Sequence, residues 1–146
     1  MGNYNFKKDL KESENSVLYV MSYLTSIGCR DFHTNNDGRY DIKYYRTTDK
    51  QWFTAEVKND LMWDKTHNVA LEFCSRGKPS GVCTSQADLW IYVLGSDIYI
   101  ARLPQIRMYL IQHWDRFKRV TGGDDRTSLL ALLPIDEFEN LFKKVT

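Results

Sequence analysis

The chain has 146 residues, enough for one domain with a real core, and 42% hydrophobic and 14% aromatic content argues against a disordered polymer. Twenty Lys and Arg against 19 Asp and Glu leave a net charge of +1, so composition implies no general basic field for nucleic acid, although a balanced total can hide a local patch. The three cysteines, Cys29, Cys74 and Cys83, are too few and too scattered for a disulfide framework or a zinc cluster, which predicts a reducing, cytoplasmic setting; no apolar run is long enough for a membrane span.

Residues 9–27 read as a helix. Val17, Val20, Met21, Leu24 and Ile27 recur at helical spacing, and Gly28 stops it. The polar run CRDFHTNNDGR reads as a loop, with turn signals at Asn36, Asp37 and Gly38. YDIKYYRT (40–47) and QWFTAEVKN (51–59) predict two strands of a hairpin, and NVALEFCS (68–75) a third. RGKPSG interrupts regular structure. DLWIYVLG (88–95) is almost wholly apolar and predicts a central strand, followed by DIYIARL (97–103). Pro104 opens a helix expected to run to about Val120. TGGDDRT is a loop, SLLALLP a short strand, and PIDEFENLFKKV a closing helix. This order predicts a single α/β (α+β) domain over residues 1–146, a central mixed sheet flanked by helices.

Side chains alternate along a strand, so Glu56 and Lys58 share one face while Ala55 and Val57 take the other. Asp41 precedes Ile42 in the partner strand and can converge on Glu56 and Lys58. Glu72, between Leu71 and Phe73, is a further acid expected on that face. Two carboxylates make a hard oxygen site for Mg²⁺ or Mn²⁺, which keeps several waters. The backbone carbonyl of Val57 is within reach of the same ion, and Lys58 suits a role in orienting or deprotonating a water and holding a phosphate. Ser75, Arg76, Lys78 and Ser80 surround two glycines in a segment suited to phosphate contact. Trp52, Trp63 and Trp90 suit packing, with Trp63 the best placed of them for a nucleic-acid contact.

With YD at 40–41, EVK at 56–58, fourteen residues between Asp41 and Glu56, and an apolar strand after them, the chain resembles the PD-(D/E)xK nuclease superfamily over roughly residues 12–94. Its layout is similar to archaeal Holliday-junction resolvases, and ALEFCSRGKPSGVCTSQADLWIYVLG looks like a segment of small phage-type nucleases. Tyr40 stands where the family pattern has proline. The resemblance implies a restriction-endonuclease-like fold and a Mg²⁺-dependent endodeoxyribonuclease in which Mn²⁺ substitutes. It implies Asp41, Glu56 and Lys58 as the site, completed by an acid of the first helix, Glu14 in preference to Glu12. DNA is the implied partner, the implied role is either a junction resolvase acting as a homodimer or a homing or restriction-like cutter of duplex DNA, and a phage-encoded protein in its host cytoplasm is the implied setting. A different class stays open: the fold kept as a DNA-binding or protein-interaction module without catalysis.

Overall fold

The computed structural model describes residues 6–35, 37–60, 62–122 and 127–146, with side chains of the first helix from Glu14 onward. The Glu12 side chain, Asn36 and residues 123–126 of the expected loop lie outside that description.

Helix α1 (Phe6–Ser26) buries Val20 and Leu24, and Gly28, at φ +94°, lets the chain turn sharply out of it. Strand β1 (Cys29–Thr34) follows directly, where the sequence predicts a loop. Its apolar alternation is broken by a bulge at Asp31, which takes φ +57°, so only Cys29 and Phe32 turn to the core. Strands β2 (Ile42–Arg46) and β3 (Gln51–Asn59) form the expected hairpin, with Ile42 opposite Ala55 and Tyr45 opposite Trp52.

A short helix α2 (Trp63–Thr66) leads into β4 (Asn68–Ser75). The RGKPSG stretch is not irregular. Arg76 and Gly77, both at positive φ, make a two-residue hairpin turn that pairs β4 with β5 (Lys78–Pro79). Gly81 is then required. A Cβ there would lie 2.1 Å from the Glu72 carbonyl oxygen, and its φ is +55°.

Strand β6 (Leu89–Leu94) is buried throughout and runs parallel to β3; β7 (Asp97–Arg102) returns antiparallel to it. Helix α3 (Leu103–Gln112) is shorter than its sequence pattern predicts. A 3₁₀ turn at Trp114–Arg116 ends the helical path, and residues 118–122 become strand β8 (Lys118–Gly122). Pairing of β8 with β9 (Ser128–Pro134) accounts for the difference: the β-branched Val120 and Thr121 complete a sheet edge instead of another helical turn. Helix α4 (Ile135–Leu141) and a short β10 (Lys143–Lys144) close the chain.

The strands form two sheets where one was expected. A mixed six-stranded sheet runs in the order β1-β2-β3-β6-β7-β10, and an antiparallel four-stranded sheet runs β5-β4-β9-β8. Helix α1 packs on one face of the larger sheet, over Ile42, Tyr44, Ala55, Val57, Ile91 and Ile98. The opposite face is divided. Over β6 and β7, Trp90, Tyr92, Tyr99 and Ala101 are covered by the second sheet, α3 and α4. Over β1, β2 and the start of β3 no described element covers it, and Arg30, His33 and Trp52 are exposed there. Among the described residues no helix is long and apolar enough to cross a membrane.

Candidate active site

The boundary between the covered and open halves runs along β3. Ala55 and Val57 turn inward to α1, so Glu56 and Lys58 face the boundary. Asp41 lies one position before β2, opposite Glu56 by extension of the Ile42–Ala55 register, and therefore on the same face. Its backbone N–H donates to the Ala55 carbonyl at 2.9 Å, and its Oδ2 accepts the Val57 N–H at 2.7 Å. Both contacts lie on the β2 side of β3. The N–H and C=O of a strand residue point the same way, so the Val57 carbonyl also faces the β2 side, where Asp41 sits just before β2 begins.

Lys58 Nζ stands 3.7 Å from Glu56 Oε1 and 5.5 Å from the centre of the Trp90 ring. The Glu56 side chain is only 15% exposed and that of Lys58 41%, so this is not the freely solvated surface pair that opposite charges on a strand usually make. Glu56 Oε2 is buried and has no hydrogen-bond partner among the described residues. Burial raises the proton affinity of Glu56, Asp41 adds to that, and Lys58 opposes it. Asp41 is raised as well, chiefly by burial, against the Val57 N–H and Lys58. Two half-buried carboxylates thus repel each other beside one cation, and one of their oxygens is left without a donor. That arrangement is costly unless something positive meets it.

Among the described residues no group of three or more His, Cys, Asp and Glu side chains converges as a ligand cluster. The oxygens that the register places on this side are the Asp41 and Glu56 carboxylates, and the Val57 carbonyl faces the strand edge where Asp41 sits; all three are hard donors. They suit Mg²⁺ or Mn²⁺, which bind through one or two carboxylates and retain water. The orphaned Glu56 oxygen is the observation that fits such an ion.

Glu72 is not on this sheet. It belongs to β4 of the second sheet, yet it lines, together with Lys58, Asp60 and Trp90, a cavity of about 680 Å³ between the two sheets. Its Oε2 accepts a hydrogen bond from Ser80 Oγ at 3.0 Å, which ties β5 to the cavity wall. Ser75 is half-buried with its hydroxyl 3.5 Å from Ser128 Oγ, while Arg76 and Lys78 are exposed at the hairpin. Glu14 is exposed on α1, the helix that covers the opposite face of the sheet, and no described contact joins it to Asp41, Glu56 or Lys58. Asp37 serves its turn: the Arg39 guanidinium beside it holds its carboxyl down to about 2.

Asp60 escaped the sequence reading, whereas Trp90, read there as a packing residue, is buried in the core. Asp60 accepts backbone N–H bonds from Met62 and Ala70, fixing the loop that links the sheets. Its signal was only an Asx-type turn after a strand. Trp90 sits in register with Glu56 and buries a ring nitrogen that has no partner among the described residues. Trp63 is half-buried against the core, and Trp52, 47% exposed, is the accessible tryptophan of the hairpin.

No family model matches the chain, and neither a curated protein nor a solved structure matches it.

Proposed function

We propose that the protein is a metal-dependent endonuclease that hydrolyses phosphodiester bonds in DNA, with Asp41, Glu56 and Lys58 as its catalytic corner. The observation that carries this reading is the buried Glu56 Oε2, without a hydrogen-bond partner among the described residues, on the face shared with Asp41 and Lys58. Asp41, Glu56 and the Val57 carbonyl would hold Mg²⁺ or Mn²⁺, which when bound lowers the pKa of a water and offsets charge on a phosphate. Asp41 is positioned by the Val57 N–H, so its carboxylate is set before any ligand arrives. Lys58, partly exposed at the cavity rim, holds the phosphate and orients the attacking water. Glu72 and the hairpin cations Arg76 and Lys78 add a second wall to the substrate path. The organisation is that of a restriction-endonuclease-like site with one acid fewer, since Glu14 stands apart.

A panel of duplex, single-stranded, flap and four-way-junction DNA, incubated with Mg²⁺, Mn²⁺ or EDTA, tests the reading. Metal-dependent cleavage of at least one substrate is the expected outcome. Binding without cleavage under every metal condition would instead make the protein a catalytically silent DNA-binding module. Preference for the four-way junction would go with a homodimer, because two cuts need two corners; sedimentation checks that.

A further inference from the structure

The open half of the six-stranded sheet carries groups that the cleavage reading leaves unused. Arg30 lies opposite Tyr45, His33 opposite Lys43, and Tyr45 opposite Trp52. Strand alternation places all five on the face that carries Asp41 and Glu56. They interleave cations with rings. The Arg30 guanidinium is 5.4 Å from the Tyr45 ring centre, and Lys43 Nζ is 5.4 Å from that of Trp52. Trp52 also meets Tyr45 at 5.4 Å and His33 at 6.0 Å between ring centroids. Trp52 nevertheless remains 47% exposed. On its other side Trp52 walls a cleft of about 350 Å³ shared with Gln86, Asp88 and Arg102.

We propose that this face binds an unpaired DNA strand, its bases stacking on Trp52 and Tyr45 and its phosphates meeting Arg30 and Lys43. The further claim, that this strand is the one led to the catalytic corner, rests on the proposed cleavage function. Phosphate binding alone needs cations and no rings. Exposed rings among cations are what a strand with accessible base faces exploits, and a duplex stacks those faces on one another. An exposed cation–π contact is weaker than base stacking on the same ring, so an arriving base displaces Arg30 and Lys43 toward the phosphates instead of losing to them. Acids do not spoil the surface. The ion pair of Arg30 with Asp31 is solvent-exposed on both sides and weak, and the Asp88 carboxylate is engaged by the Thr54 N–H and hydroxyl. Trp52 and Glu56 are four residues apart on one strand, about 13 Å. A strand stacked on Trp52 therefore runs directly toward the corner.

The test is fluorescence anisotropy in EDTA, with labelled oligothymidylate, a duplex of equal length and oligouridylate. Oligothymidylate should bind more tightly than the other two. Trp52→Ala should weaken its binding by about tenfold or more, and Trp52→Phe should retain most of it. Lys43→Ala should reduce the slope of log affinity against log salt by about 0.7. Circular dichroism verifies that each variant is folded; should Trp52→Ala fail to fold, the Trp52→Phe affinity and the Lys43→Ala slope decide. Oligothymidylate affinity unchanged in Trp52→Ala, an unchanged salt slope in Lys43→Ala, or preference for duplex or RNA overturns the proposal. Because metal is absent, failure here leaves the cleavage reading standing, and an inert corner leaves strand binding standing.

Discussion

Glu56 carries an unusual load for a strand residue. Its raised proton affinity has a definite sign in the pH dependence of stability. A carboxyl whose folded pKa lies above its unfolded value of 4.5 keeps its proton better when folded. Its contribution is most favourable below that value and is lost as pH rises through the folded pKa. Glu56→Gln removes the charge, so the metal-free variant should melt higher than wild type at neutral pH. A gain on the order of 1 kcal/mol corresponds to about 2–4 °C in a chain of this size. The difference should close as pH falls below the unfolded value of 4.5. Thermal melts across pH in EDTA check both statements. The same substitution should weaken Mn²⁺ binding, as should Asp41→Asn. Each loss should be at least the roughly 10–100-fold that removing an outer partner of a metal ligand costs; calorimetry is the readout. A variant that gains stability and loses metal is the signature expected of a functional acid, and a structural ion pair would show the reverse stability effect. Lys58→Ala should leave Mn²⁺ affinity nearly intact and slow cleavage by about 10²–10⁴-fold, the range for a positioned proton-transfer group.

At the scale of elements, the sequence was most legible where strand alternation and turn residues agreed. β3 and β4 have the predicted bounds, and the shared face of Asp41, Glu56 and Lys58 follows from alternation and one hairpin register. β1 was hidden because its bulge at Asp31 breaks the period that marks a strand, and its outward residues are polar. β8 was hidden because Leu110, His113, Trp114 and Phe117 keep helical spacing past the end of α3, and only pairing with β9 overrides it. Glu72 could not be assigned to the second sheet locally, since its partners, Leu130 and the rest of β9, are remote in sequence. Two predictions belong here. Gly81→Ala should destabilise the fold by at least about 1–3 kcal/mol, since both a positive φ and a backbone carbonyl oppose the new methyl group; urea unfolding with an unchanged slope would report it. Arg76→Ala/Lys78→Ala should weaken DNA binding and flatten its salt dependence while metal affinity holds. An unaltered salt slope would place the β4–β5 hairpin away from the DNA.

The whole molecule gives the corner its character. A sheet open on one half and covered on the other places Asp41, Glu56 and Lys58 at the boundary, half-buried on one side, where charge interactions are stronger than in water, and accessible from the other. The open half offers rings and cations, and the covered half offers a cavity with Lys58 and Glu72 on its lining. Neither feature could be read from the segments singly, because each depends on how two sheets meet.

The most direct test of the central claim is a nicking assay on supercoiled plasmid with Mn²⁺, comparing wild type, Lys58→Ala and Glu56→Gln at equal, verified fold. The account predicts nicking by wild type that EDTA abolishes, with both variants slowed by about 10²-fold or more. Metal-dependent nicking at the wild-type rate by Glu56→Gln and Lys58→Ala would contradict it, since the reaction would then belong to a different part of the surface.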